Sequence, residues 1–380
     1  MKKVFYWSPH LSNVATIKNV VNSAYSLKKY NSNLQVSIID AIGEWTKFKN
    51  IFKEKKIDYQ NLKSLDLSPK LPITGYFNSR FFSVLIFLKN FFPLKTLLNK
   101  EKPDYLIVHL ITSLPLLLAI IFNLKTKIIL RISGLPKLHY IRKLFWRIAS
   151  KKIYYITCAS DETKNDLIKL NIFEKEKIIT LHDPIIFISE MIKLKKEKIS
   201  EFMEKENIFV SIGRLTNQKN HLLLIKMFSQ LNEKDNKYFL YIIGDGENKD
   251  SLNKEIKKLN LSKYVFLLGY KENVFPYIKS ANAVLSSSLW EDPGAVMIEA
   301  AFCNTLIISS DCKSGPKEFL NNGKAGYLFE NNDIKSLNNS FQNFFNESLE
   351  TKKEKKFLAK KNSKKYTIFN HYLTLKKIIN

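Results

Sequence analysis

Cysteine is nearly absent from this chain: Cys158, Cys303 and Cys312 stand far apart in 380 residues. That scatter offers neither a disulfide framework nor metal-ligand spacing, and it reads as reduced thiols of a cytoplasmic protein. His139, His182, His221 and His371 likewise show no metal-binding spacing, and no role attaches to them. No sustained apolar run precedes Pro9, so the charged start MKKVFYWSPH does not read as a signal peptide. Acidic residues are the other shortage, 35 Asp and Glu against 61 Lys and Arg, for a net charge of +26. Such an excess would suit nucleic acid, an anionic membrane or acidic small molecules. There is no arginine-rich stripe and no nucleic-acid motif, so nucleic acid is not expected as a partner. The lysines are spread over polar helix faces such as KKEKISEFMEKEN. Attraction to an anionic membrane is the economical functional reading; the alternative is a functionless bias of an AT-rich genome.

What is present points to two folded domains. Hydrophobic residues make up 45% of the chain, which excludes a disordered protein, and 380 residues suffice for two cores. Tyr105 to Leu124 carries no charged residue over a membrane-spanning length. It nevertheless divides into a buried strand (YLIVHL), a break at Thr112-Ser113, and a short helix with Pro115 in its first turn. Strand and helix alternate throughout, the signature of parallel sheets covered on both faces. Strands are expected at VFYWSP, LQVSIIDA, YLIVHL, KIILRIS, KIYYITCA and KIITLHDP. A second series runs NIFVSIGR, YFLYIIG, YVFLLGY, AVLSSS, TLIISSD and YLF. A helix is expected from about Asn13 to Tyr30, another over NSRFFSVLIFLKNFF, and Ser160 is placed to cap the helix DETKNDLIKL. The resulting division is 1–189, a connection at 190–206, 207–360, and C-terminal helices at 361–380.

Residues 287–299, SSLWEDPGAVMIE, carry the densest chemistry. Glu291 and Glu299 flank an expected helix start, with Pro293 suited to the first helical position and Gly294 permitting close approach to the backbone. A helix N-terminus is a ready phosphate site, and carboxylates on either side accept hydrogen bonds from sugar hydroxyls. That arrangement suits a nucleotide-sugar.

The ordered series GRLTNQKN, IIGDGE, FLLGY, SSLWEDPGAVMIEAA, SGPKEFL and GYLF resembles the retaining glycosyltransferases of family 4, closely over about 207–335. The resemblance implies an α/β GT-B fold: two doubly wound Rossmann-like domains facing across a cleft, and a C-terminal helix crossing back to the N-terminal domain. It also implies that Arg214 and Lys219 hold the donor diphosphate, where two cations neutralise charge on the leaving nucleotide. Glu299 would bind the ribose hydroxyls, Glu291 the transferred sugar, and backbone N–H groups at Gly294, Ala295 and Val296 the phosphate. Gly269, Tyr270 and Lys271 would border the base, and Gly244 and Gly246 would shape the site as turn glycines. The chain holds no Asp-x-Asp, which argues against the metal-dependent glycosyltransferase fold, so neither metal nor other cofactor is expected.

In the N-terminal domain His109, ending a buried strand, resembles the family's catalytic-site histidine. His10, Asn13, Arg131 and Ser133 are the acceptor-side candidates. The loop SPHLSNVAT departs from the family in holding no glycine, which puts its contact with substrate in question. The implied activity is a metal-independent hexosyl transfer with retention from a UDP- or GDP-sugar to a glycan or lipid-linked acceptor. The implied setting is bacterial surface polysaccharide synthesis (lipopolysaccharide, O-antigen or capsule), in the cytoplasm or on the inner face of the plasma membrane. The helix FFSVLIFLKNFF would rest on that membrane or serve as a core helix. The competing readings are a sugar epimerase or synthase on the same architecture, a catalytically dead relative, and a basic membrane- or nucleic-acid-binding module.

Overall fold

The computed structural model describes all residues except 12–14, 63, 72, 74–75, 136–137, 200–205, 236 and 380. Asn13, with its loop neighbours Ser12 and Val14, therefore lies outside the described residues, as do residues 200–205 of the expected connection at 190–206. The chain forms two units, Met1–Pro184 with Ile368–Asn380, and Ile185–Thr367.

In the first unit seven strands form one parallel sheet: β1 (Lys2–Trp7), β2 (Leu34–Asp40), β3 (Asp58–Asn61), β4 (Tyr105–Val108), β5 (Lys127–Ile132), β6 (Ile153–Cys158) and β7 (Ile178–Thr180). Their order is β3-β2-β1-β4-β5-β6-β7. The helices between them are α1 (Ala15–Tyr30), α2 (Lys49–Glu54), α3 (Tyr76–Glu101), α4 (Ser113–Phe122), α5 (Tyr140–Ser150) and α6 (Asp161–Lys169). Side chains alternate across the sheet, so Phe5 and Trp7 enter one core while Val4 and Tyr6 enter another. Burial on both faces explains why β1, β4 and β5 read as continuous apolar runs rather than alternating ones. The uncharged stretch from Tyr105 is β4 followed by α4, and Ser160 Oγ caps α6 by accepting from the Thr163 N–H at 3.2 Å.

The second unit contains β8 (Ile208–Ile212), β9 (Phe239–Ile243), β10 (Val265–Gly269), β11 (Ala283–Ser286), β12 (Leu306–Ser310) and β13 (Tyr327–Phe329), in the order β10-β9-β8-β11-β12-β13. Its helices are α7 (Ile188–Leu194), α8 (His221–Asp235), α9 (Lys249–Lys258), α10 (Phe275–Ser280), α11 (Ala295–Phe302), α12 (Pro316–Phe319), α13 (Ile334–Asn346) and α14 (Leu349–Ser363). The last helix, α15 (Ile368–Ile378), belongs to the first unit. Its Tyr372, Leu375 and Ile378 join Val20, Val21 and Ala24 of α1 in the second of that unit's cores.

In the first unit α3 runs beyond its expected extent. The helix expected to finish at Phe92, before a proline, continues through Pro93 to Glu101. Pro93 removes one backbone donor, but Leu94 and Leu98 beyond it are buried in the core, and that packing holds the extra turns.

Candidate functional site

In the second unit, loops leaving the C-terminal ends of β8, β11 and β12 converge, which is where doubly wound sheets place ligands. Backbone contacts bind the first two: the Leu289 N–H donates to Gln218 O at 2.8 Å, and Gln218 Nε2 donates to Trp290 O at 3.0 Å. Ser287 Oγ donates to the Lys219 and Asn220 carbonyls, both at 2.9 Å. The loop after β12 joins through the Glu291 N–H, which donates to Lys313 O at 3.3 Å.

This framework brings Lys219 and Glu291 together across a separation of 72 residues. Lys219 Nζ donates to Glu291 Oε1 in an ion pair, and Ser288 Oγ donates to the same oxygen at 2.6 Å. Both partners are largely buried, which makes the charge-assisted contacts stronger than they would be in open water. Arg214 lies on the same turn, its Nη2 donating to Gln218 Oε1 at 3.4 Å. Ser288 and Gln218 were not singled out from sequence, because neither residue type signals a role until Lys219 and Glu291 are known to meet.

The start of α11 differs from expectation. Gly294 is the N-cap, with φ 89°, and the helix begins at Ala295 rather than at Pro293. A residue in the left-handed region cannot continue into helical geometry, so Pro293 falls before the helix. The first N–H groups of α11 have no acceptor within the helix. Glu299 follows a turn later and is 8% exposed.

Gly244 secures the neighbouring turn: at φ 147° its hydrogen faces Gly213, and a Cβ would stand 1.9 Å from the Gly213 carbonyl oxygen. Its N–H donates to Gly269 O at 2.9 Å, tying the end of β10 to this edge. Tyr270 beyond it is 76% exposed, and Lys271 Nζ lies 5.7 Å from the Tyr277 ring centroid.

The first unit has its own concavity at the ends of β4 and β5, of about 610 Å³. Its polar side is built from His109, Thr112, Arg131 and Ser133, and its apolar side from Val84 and Phe87 of α3 with Phe145 and Trp146 of α5. Burial, aided by the Arg131 charge, holds the His109 imidazole well below its ordinary pKa, so the ring is neutral at pH 7. Arg131 is anchored at the cavity wall, Nη1 donating to Leu181 O and Nη2 to Asp183 Oδ1, each at 2.5 Å. His10 does not line the cavity. It is buried edge-on against Trp45, centroids 4.6 Å apart, and burial lowers its pKa to about 4.

His371, to which sequence reading assigned nothing, sits in a buried relay. Ser23 Oγ and His371 Nε2 are 2.8 Å apart, and His371 Nδ1 donates to His182 O at 2.7 Å. Among the described residues no cluster of three His, Cys, Asp or Glu is placed to hold a metal ion.

Residues 193–365 match the family model of glycosyl transferases group 1. An uncharacterized glycosyltransferase of Methanocaldococcus jannaschii is 33% identical over 255 residues, covering 61% of this chain and 62% of that protein. The N-acetylgalactosamine-N,N'-diacetylbacillosaminyl-diphospho-undecaprenol 4-alpha-N-acetylgalactosaminyltransferase of Campylobacter jejuni is 28% identical over 234 residues, covering 60% of this chain and 61% of that one. The chain thus spans about three-fifths of the length of these curated relatives. The crystal structure of Anabaena HepE in complex with UDP superposes with a TM-score of 0.75 at 14% identity, covering 99% of both chains. The likeness shows the two-domain α/β GT-B fold. The sequence matches support a glycosyl transferase of group 1.

Proposed function

We propose that this protein transfers a hexosyl unit from a UDP- or GDP-sugar to a glycan or lipid-linked acceptor, with retention of anomeric configuration and without a metal. The observation that carries this reading is the meeting of Lys219, Glu291 and Ser288 beside the start of α11. A diphosphate received there meets the N–H groups of Gly294, Ala295 and Val296 together with the cations of Lys219 and Arg214. Lys219 exchanges its contact with Glu291 for the phosphate, which frees Glu291 to accept hydrogen bonds from the sugar hydroxyls. Glu299 takes the ribose hydroxyls, and the segment Gly269–Lys271 borders the base.

In the reaction the bond from the anomeric carbon to the diphosphate oxygen breaks, and a bond to the acceptor hydroxyl oxygen forms on the same face. The acceptor proton passes to the departing phosphate oxygen. Lys219 and Arg214 stabilise the charge that develops on that phosphate, the role that preorganised cations fill in such transfers. The cavity around His109 receives the acceptor, with Ser133 at its edge and neutral His109 able to accept or donate a hydrogen bond. The Campylobacter jejuni relative, named for a diphospho-undecaprenol-linked acceptor, supports a role in bacterial surface polysaccharide synthesis such as lipopolysaccharide, O-antigen or capsule, and we place that role in the cytoplasm against the inner face of the plasma membrane.

A thermal-shift screen of UDP- and GDP-sugars tests the reading, since a ligand that binds only the folded state raises the midpoint. The best binder is then assayed for acceptor-dependent nucleotide release with and without EDTA. The proposal fails if no nucleotide-sugar stabilises the protein, or if Glu299→Ala leaves donor affinity unchanged. Loss of turnover on chelation would overturn its metal-free part.

A further inference from the structure

The helix α3 is two-sided in a way its composition hides. Phe77, Phe81, Val84, Leu88 and Phe92 follow at spacings of four, three, four and four, which at about 100° per residue keeps them on one narrow stripe. All five are between 59% and 84% exposed. The opposite side carries Ile86, Asn90, Leu94 and Leu98, all buried in the first unit. Asn90 is fixed there by Ser64 Oγ, which donates to its Oδ1 at 2.6 Å. By length and composition Phe77–Glu101 could cross a bilayer, with a mean hydropathy of 1.5. Its buried and hydrogen-bonded far side instead ties it flat to the unit, which leaves a single apolar stripe facing outward.

A second apolar stripe runs along α5. Tyr140, Ile141, Leu144 and Ile148 are between 48% and 81% exposed. The two helices flank the His109 cavity together: Val84 is at once a member of the α3 stripe and part of the cavity wall, and Arg142 of α5 lines the same opening. An outward apolar surface of this extent on a folded unit marks an interaction site. Its charge says with what. α3 carries Arg80, Lys89, Lys95 and Lys100 and no acidic residue before its final Glu101, which is paired with Lys3. α5 carries Arg142, Lys143 and Arg147 and no acidic residue at all. Large apolar side chains on an outward stripe with basic side chains around them are the chemistry of a helix lying in the interface of an anionic bilayer.

We infer that α3 and α5 form a docking face for an anionic lipid surface, with the opening of the His109 cavity held at that surface. The face stands on its own exposure and charge. Only the use of the cavity, to take an acceptor whose sugar is displayed on a membrane lipid, rests on the transferase reading. In that arrangement the acceptor need not leave the bilayer to be glycosylated.

The test is co-sedimentation of the full chain with vesicles of phosphatidylcholine alone and of phosphatidylcholine mixed with phosphatidylglycerol. The expected result is binding to the mixed vesicles that weakens as salt is raised, at least about tenfold tighter than binding to the neutral ones. Leu88→Glu with Ile141→Glu should lower the partition at least about tenfold. Lys89→Gln with Lys143→Gln and Arg147→Gln should remove most of the preference for anionic lipid. All five side chains are exposed, and circular dichroism verifies that each variant is folded; where one charge-inserting variant is not, Leu88→Ser with Ile141→Ser replaces it. Equal binding to both vesicle types, no binding, or unchanged binding by the folded variants overturns the inference. So does a wild-type dimer that ignores vesicles and becomes monomeric with Leu88→Glu and Ile141→Glu, because a second copy then covers the face. The nucleotide-sugar thermal shift is read on the same variants. A shift retained while vesicle binding is lost separates failure of this face from failure of the transferase reading.

Discussion

The two units share a strand order and build their functional edges from different materials. Eight of the eleven glycines lie in the second unit, since only Gly43, Gly75 and Gly134 fall in the first. The second unit therefore brings backbone close to backbone, as where Gly244 meets the Gly213 carbonyl, and suspends a few charged side chains from that frame. The first unit instead buries polar side chains at the ends of its strands: Arg131 with Asp183, His371 with Ser23, and Asp40 hydrogen-bonded by Tyr59. A backbone-built site presents N–H groups to any phosphate and tolerates variation elsewhere. A side-chain-built site depends on particular pairs, and removing one partner leaves the other buried and unpaired.

That contrast is most easily broken at Arg131. Arg131→Met would strand Asp183, which is only 8% exposed at its side chain, and disrupting such a buried pair costs about 3–5 kcal/mol. The melting midpoint of the first unit should fall by on the order of 10 °C. Differential scanning calorimetry would show it, and a fall of less than a degree or two would mean the pair is not holding that unit.

Lys219→Ala is the reciprocal experiment. It removes a cation from an already framed site, so turnover should drop about 10²–10³-fold, and Glu291, 10% exposed at its side chain, loses its ion-pair partner but keeps Ser288, so the midpoint should fall by less than in Arg131→Met. Nucleotide release and calorimetry on the same preparation separate the two effects. If the midpoint fell as far as in Arg131→Met, the second unit's frame would depend on side chains after all. Ser288→Ala removes one hydrogen bond to the Glu291 carboxylate and should slow turnover about tenfold, in line with the usual 1.5–3 kcal/mol of bonds to charged groups. Ser288→Thr keeps the hydroxyl and should restore most of the rate.

The same contrast decides what could be read from sequence. The second unit's signal is local: Glu291, Gly294 and Glu299 fall within nine consecutive residues, and Pro293 as a first helical position put the start of α11 within two residues of where it is. The alternation of strands and helices was legible because both sheet faces are buried, which enforces long apolar runs. What was illegible is set by distance along the chain. Ser23 and His371 are 348 residues apart and Arg131 and Asp183 are 52 apart, so nothing near either residue announces its partner. His10 illustrates the limit from the other side. Its place after a strand end suggested a role toward substrate, whereas its ring is packed beneath Trp45. The passage of α3 through Pro93 was hidden for a related reason, because burial of Leu94 and Leu98 overrides a local breaker.

The smallest expected difference between the units appears in acid. Burial lowers the pKa of His10 to about 4 and of His371 to about 3, and holds His109 well below its ordinary value, all in the first unit. In the second unit burial lowers His221 alone, to about 4. An unfolded histidine titrates near 6.5, so below that pH the unfolded chain binds more protons. The stability these neutral rings contribute is complete above about 6.5 and is lost as pH falls toward the folded values. Glu44, also in the first unit, acts oppositely: burial and then Asp40 raise its pKa well above the ordinary range, so its protonation on acidification stabilises the fold. Three such histidines drive the first unit apart in acid, opposed by Glu44, against one histidine in the second. Three of the four tryptophans (Trp7, Trp45 and Trp146) belong to the first unit, so intrinsic fluorescence reports mainly on it. On titration from pH 7 downward, the fluorescence transition should precede the far-ultraviolet dichroism transition that both units share. Coincident transitions would show that the acid response is common to both units. His371→Gln, which keeps a neutral hydrogen-bonding group beside Ser23, should move the fluorescence transition to lower pH and leave the remaining dichroism change in place.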